Sequence, residues 1–117
     1  MVTKRMENMA ARGEKLASKL LGLKPTTKLA PFDVVDFGEG YAYEVKTVTS
    51  LALSGSNKIH ISASAWKRKQ EFLSMYGLQG ELLVVVVYSR ERVEVYRVPL
   101  KQHLRISTVI KTGTLIS

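Results

Sequence analysis

The spacing of apolar positions divides the 117-residue chain into two helical stretches and a series of extended ones. Met6, Met9/Ala10, Gly13, Leu16/Ala17 and Leu20/Leu21 recur at three- and four-residue steps, which predicts a helix over about 4–22. Gly22 stands where a C-terminal cap belongs, and Pro25 prevents the helix from resuming. LKPTTKLAP is then a loop, FDVVDF a short strand, GEG a turn and YAYEVKTV a second strand. The small and polar residues of SLALSGSN predict a flexible loop, followed by a short third strand in KIHIS. A second helix is expected from about Ala63 to Tyr76, capped by Ser62 or Ser64 and stopped at Gly77. ELLVVVVYS lacks alternation, as in a central strand covered on both faces, whereas VEVYRV alternates and belongs nearer an edge. The tail, LRISTVIKTGTLIS, can turn as a hairpin at Thr112-Gly113 or dock on a second subunit. The order α-β-β-β-α-β-β around a buried strand predicts an α/β (α+β) fold, a central mixed sheet flanked by helices.

Composition narrows the class. A chain of this length holds one modest core, so residues 1–117 are read as one domain, with its core over about 4–99 and residues 100–117 as an extension. The absence of cysteine excludes a disulfide framework, a thiolate metal site and a cysteine nucleophile. The longest apolar run, LLVVVVY at 82–88, is far short of the ~20 residues of a membrane span. The N-terminus has no apolar core of a signal peptide, so an intracellular protein without a membrane partner is expected. No Gly-rich phosphate loop or nucleophile elbow is present, which leaves nucleotide use and acyl transfer without support.

Charge changes the picture more. The formal net charge is +8 and the pI about 9.9, which suits a polyanionic partner such as DNA. Its distribution is uneven: +5 over residues 1–28, −3 over 29–57, +2 over 58–81 and +4 over 82–117. An acidic island, PFDVVDFGEGYAYEVK at 31–46, sits between basic flanks.

Strand phase sorts that island. Residues two apart share a face, so Glu44 and Lys46 point one way and Tyr43 and Val45 the other. A turn around GEG brings Asp33 near Glu44 or Lys46. Two carboxylates and an ammonium on one sheet face are costly to bury unless they serve each other or a cation. Two readings follow. One is a solvated hairpin with a cross-strand ion pair. The other is metal-assisted phosphodiester hydrolysis: Asp33, Glu44 and the Val45 carbonyl hold Mg²⁺, a hard cation for which one or two carboxylates suffice. Lys46 then stabilises hydroxide or the charge on the phosphate, and acts as a general base only secondarily. Glu14, on the margin of the first helix's apolar face, is the candidate fourth group, with Glu7 on the same stripe in reserve.

At this point the residues resemble a family. Glu14 in a first helix, Asp33 opening a strand and Glu44-Val45-Lys46 are similar to the PD-(D/E)XK nuclease superfamily, with one residue inserted in Pro31-Phe32-Asp33. RGEKLASKLL and KIHISASAWKRKQEFLSMYGLQGELLVVVVYSRERVEVYRV resemble archaeal-type Holliday junction resolvases, over about residues 10–98. In that family's opening helix the Glu usually follows the Gly by four, whereas Glu14 follows Gly13 directly. The resemblance implies a restriction-endonuclease-like αβββαβ core and a Mg²⁺-dependent enzyme, with Mn²⁺ able to substitute. It also implies a homodimer that nicks branched DNA in pairs, leaving 5′-phosphate ends. Ser50, Ser54 and Ser56 become DNA-contact candidates. Alternatives are another nuclease of the superfamily, acting on duplex or single strands, or a DNA-binding module on the same fold without catalysis.

Further candidates come from the basic flanks. Lys4, Arg5, Arg12, Lys58, His60, Lys67, Arg68 and Lys69 form a candidate phosphate-contacting surface, although a charge run on a helix is also what a solvated face looks like. Gln70 is placed on the apolar side of the second helix, as a buried amide or as a group that orients water or phosphate near Lys46. Trp66 and Tyr76 are assigned to the core. His60 and His103, 43 residues apart, make no recognisable zinc spacing.

Overall fold

The structure, a computed structural model, describes residues 4–24, 31–49 and 58–117, with side chains from residue 11 onward. The elements in chain order are α1 (Lys4–Leu21), β1 (Val34–Asp36), β2 (Tyr41–Thr49), β3 (Lys58–His60), α2 (Ala63–Tyr76), β4 (Gln79–Val87), β5 (Val93–Pro99), β6 (His103–Arg105), α3 (Ile106–Thr112) and β7 (Thr114–Leu115). Both long helices end where the glycines require. Gly22 and Gly77 take φ of 68° and 64°, and their neighbours satisfy the last helical carbonyls: Leu23 N–H donates to Ser18 O, and Leu78 N–H to Leu73 O. The Ser62 hydroxyl accepts from Ala65 N–H at 3.3 Å and so starts α2. The flexible loop expected over SLALSGSN, with Ser50, Ser54 and Ser56, lies outside the described residues.

The central sheet runs β1-β2-β4-β5-β7 and is mixed: β2 and β4 are parallel, and the other pairs are antiparallel. Leu82 to Val86 are buried without a break, and alternation sends them to two separate cores. Leu83 and Val85 join Tyr43, Val45 and Val95 beneath Ala17 and Leu16 of α1. Leu82, Val84 and Val86 join Tyr96 and Val98 beneath Ile59, Leu104, Ile106 and Val109. Each fully buried Leu or Val here contributes about 1.5–3 kcal/mol of transfer free energy, which is why an unalternated run can sit only in the middle of a sandwich.

The third strand departs from expectation. β3 leaves the central sheet and pairs antiparallel with β6 in a two-stranded ribbon, whose inner residues Ile59 and Leu104 cover the second core. Of the two readings of the tail, the hairpin is corrected. No hairpin forms at Thr112-Gly113, because Ile106, Val109 and Ile110 have helical spacing and fold as α3 onto the sheet, leaving only β7 to pair with β5. Among the described residues no helix is long and apolar enough to cross a membrane.

Gly13 fixes how closely α1 approaches the sheet. A Cβ there would collide with Thr47 Oγ1 of β2. Gly13→Ala is therefore expected to destabilise the fold by about 1–3 kcal/mol through overpacking, and Gly13→Ala/Thr47→Ala to regain part of it, as read by melting temperature.

Candidate active site

The register of the β1–β2 hairpin builds the site. The ladder of β1 against β2 runs out to Val34, which pairs with Tyr43, and Asp33 is the next residue beyond it. Asp33 N–H donates to Tyr43 O at 3.0 Å, and there the strand ladder of β1 ends. The next donor on β2, Val45 N–H, is taken by Asp33 Oδ2 at 2.8 Å. The carboxylate thus stands in for the missing main-chain acceptor. Because N–H and C=O of one strand residue point to the same side, the Val45 carbonyl also faces Asp33.

Glu44 lies on the face of Leu82, its register partner, and is 9% exposed. A carboxylate in an apolar row needs compensation, and two lysines supply it. Lys46 Nζ is 3.9 Å from Glu44 Oε1, with a side chain 41% exposed. The Lys69 ammonium donates to Glu44 Oε2 and to the Pro31 carbonyl, and lies over the Phe32 ring. Lys69 is 7% exposed, so it cannot belong to an outward phosphate-contacting surface; that assignment is corrected. Gln70 is corrected in the opposite sense: it is exposed, and Lys69 occupies the inward position assigned to it. The two differ by one residue, or 100° around the helix. The apolar spacing Trp66, Phe72, Leu73 admits either at its centre, and the Glu44 carboxylate decides for the cation.

Glu14 follows Gly13 on α1, against the other face of the sheet, and is partly buried. Burial first, then the Asp33 charge, raise its pKa above the ordinary carboxylate value. Burial first, and Asp33 next, also raise Glu44, against the opposing pull of Lys69 and Lys46. Asp33 is therefore the acid that both glutamates feel. Since both folded pKa values lie above the unfolded ones, the folded chain binds more protons. The associated stability is full below the unfolded carboxylate range and is lost as pH rises through the raised values. The melting temperature of the metal-free protein should accordingly fall as pH is raised from 4.5, with a flatter profile in Glu14→Gln.

The structure thus brings Asp33, Glu44, Val45 and Lys46 together and adds Lys69, with Glu14 coupled from the α1 side. Among the described residues no three of His, Asp and Glu converge as a metal cluster by themselves. The available donors are Asp33 Oδ1, Glu44 and the Val45 carbonyl, all oxygens, which is the donor chemistry of a hard divalent cation. Arg12, Lys58, His60, Lys67 and Arg68 are exposed. The side chains of Arg5 and Glu7, and all of Ser54, lie outside the described residues.

No protein-family model matches the chain, and no curated protein matches its sequence. Among solved structures it is similar to Archaeoglobus fulgidus Hjc, a Holliday junction resolvase from an archaeal hyperthermophile. The TM-score is 0.62 over 92% of this chain and 91% of that one, at 17% identity. The expected fold class is therefore the observed one: a mixed α+β architecture with a five-stranded mixed sheet flanked by helices, shared with that resolvase.

Proposed function

We propose that the protein is a Mg²⁺-dependent endodeoxyribonuclease of the PD-(D/E)XK type that nicks branched DNA, four-way junctions foremost, in paired cuts leaving 5′-phosphate ends. The observation that carries this reading is the convergence of Asp33, Glu44 and Lys46 at one sheet edge, on a fold similar to that of a Holliday junction resolvase. Asp33, Glu44 and the Val45 carbonyl would hold Mg²⁺, or Mn²⁺ in its place. Bound there, the ion would supply Lewis-acid polarisation of a phosphate oxygen and a water of lowered pKa. The chain's own groups do the rest. Lys46 places an ammonium at the open side of Glu44, where it counters the charge that builds on a phosphate in the transition state. The Val45 N–H bond holds the Asp33 carboxylate in one orientation. Glu14 acts on Asp33 through space, as an orienting group. The basic side chains of α1 and α2 that face outward, Arg12, Lys67 and Arg68, hold flanking phosphates. A homodimer would present two such sites, one for each nick.

A second reading is a DNA-binding module without catalysis. It is favoured by Lys69, whose ammonium already occupies one of the two Glu44 oxygens. One experiment separates the two: the protein is incubated with Mg²⁺ on a labelled four-way junction, a plain duplex and a single strand. Paired symmetric nicks in the junction alone support the first reading. Cutting of duplex or single strand would assign another substrate to the same chemistry. Junction binding with no cutting, unaltered in Asp33→Asn and Lys46→Ala, would leave the binding module.

A further inference from the structure

The β3–β6 ribbon pairs like with like. Its register sets Lys58 opposite Arg105 and His60 opposite His103, and all four side chains are exposed. Like charges directly opposite each other on a sheet face are destabilising. No ion pair relieves either Lys58 or Arg105 among the described residues. Nor does the neighbouring chain offer a carboxylate: residues 50–70 and 95–117 contain no Asp or Glu. Cations stacked without counterions, on a ribbon whose other face is committed to the core, are matched by a polyanion from outside.

The histidines add a donor of defined chemistry. Their rings stack at 4.5 Å between centroids, with Nδ1 of one 2.8 Å from Nδ1 of the other. At that distance the two nitrogens share a proton, so one accepts and the other donates. The accepting ring, with Nδ1 bare, must carry its hydrogen on Nε2. The pair therefore always presents at least one Nε2–H to an anion. The two rungs lie two residues apart along the strands, about 6.8 Å, comparable with the spacing of successive phosphates on one nucleic acid strand. The ribbon also covers the same sheet face that carries Glu44 and Lys46, since Ile59 and Leu104 pack with Val84, the register partner of Lys46.

We propose that the outer face of the β3–β6 ribbon is a two-rung phosphate clamp, in which His103 and Arg105 of the C-terminal segment act with Lys58 and His60 to hold two successive phosphates of one DNA strand. This rests on the DNA-binding reading and gives residues 103–105 a role in it. Arg105 makes the bidentate contact, for which its planar fork is suited, and Lys58 supplies a point charge beside it.

The test uses the full chain at fixed pH, with binding of a fluorescent duplex and a fluorescent four-way junction measured across a salt series. Arg105→Ala and His103→Ala should each bind about three- to tenfold more weakly on both DNAs, and Arg105→Ala should lower the salt slope by about one. Arg105→Lys should keep the slope. The decisive variant is Lys58→Glu, which places a carboxylate opposite Arg105. It should raise the melting temperature through a cross-strand ion pair while weakening DNA binding. Binding by the wild type with unchanged affinity and slope in these variants overturns the clamp and leaves the DNA-binding reading intact. Affinity and melting temperature falling together in all of them assigns the side chains to ribbon stability, and also overturns the clamp. A wild type that binds neither DNA overturns both.

Discussion

Replacing Lys69 with methionine is expected to destabilise the protein by about 3 kcal/mol at neutral pH, the cost of leaving one member of a buried ion pair without its partner. Lys69 and Glu44 are 7% and 9% exposed, so water cannot take over the lost interaction. Lys46 takes over only part of it, because its ammonium stands 3.9 Å from Oε1 on a side chain that is 41% exposed. The loss should shrink as pH is lowered, since a protonated Glu44 no longer needs a counterion and its pKa is already raised. Chemical denaturation of Lys69→Met, Glu44→Gln and the double variant gives the coupling directly. The double variant should be less destabilised than the two single losses added together. Additive losses would mean that Lys69 stabilises chiefly through Phe32 and the Pro31 carbonyl. Under the proposed Mg²⁺ reading, Glu44 freed of Lys69 would be a better cation ligand, so added Mg²⁺ should raise the melting temperature of Lys69→Met more than that of the wild type.

The second large effect is on cutting. Under the proposed nuclease reading, Lys46→Ala should lower the single-turnover rate on a four-way junction by about 10²–10³-fold, the usual consequence of removing one preorganised charge from a developing anion. Asp33→Asn should do at least as much while leaving the fold nearly intact. An amide oxygen still accepts from Val45 N–H, so the bond that closes the β2 edge survives. Burial, the larger cause, would go on raising Glu14 and Glu44, but the same change removes the Asp33 charge that adds to it, and so should shift both carboxyls part of the way back toward their ordinary range. NMR titration of the glutamate carboxyls in wild type and Asp33→Asn reads that shift without any cutting assay. A rate loss in Asp33→Asn together with a large loss of stability would indicate that the acid serves the hairpin rather than the chemistry.

These two outcomes distinguish the roles of neighbouring cations. Lys46 and Lys69 contact the same carboxylate from opposite sides, one open to solvent and the other enclosed by α2 and the Phe32 ring. Exposure thus separates a charge that solvent reaches from one enclosed against Glu44.

Much of this was legible along the chain. Period-two alternation puts Glu44 and Lys46 on one face, and the GEG turn returns Asp33 beside them, because local geometry alone dictates both. The caps at Ser62, Gly22 and Gly77 and the unalternated run of β4 are likewise local properties, and each element formed where its pattern placed it. What an element faces is a different matter. KRK on α2 carries equal charge at three positions, and only the buried Glu44 carboxylate draws Lys69 inward and leaves Lys67, Arg68 and Gln70 outside. KIHIS has the pattern of a strand but no record of its partner, which proves to be His103–Arg105 across 43 residues. The tail's isoleucines and valine have a helical period, yet whether they turn or pack depends on the apolar surface offered by Val84, Val86 and Val98. The sequence by itself determined the two long helices with their caps, the β1–β2 hairpin, the buried β4 and the shared face of Glu44 and Lys46. Tertiary packing decided which cation is buried, which strands pair and which histidines meet, because those depend on desolvation and contact between segments that no local period encodes.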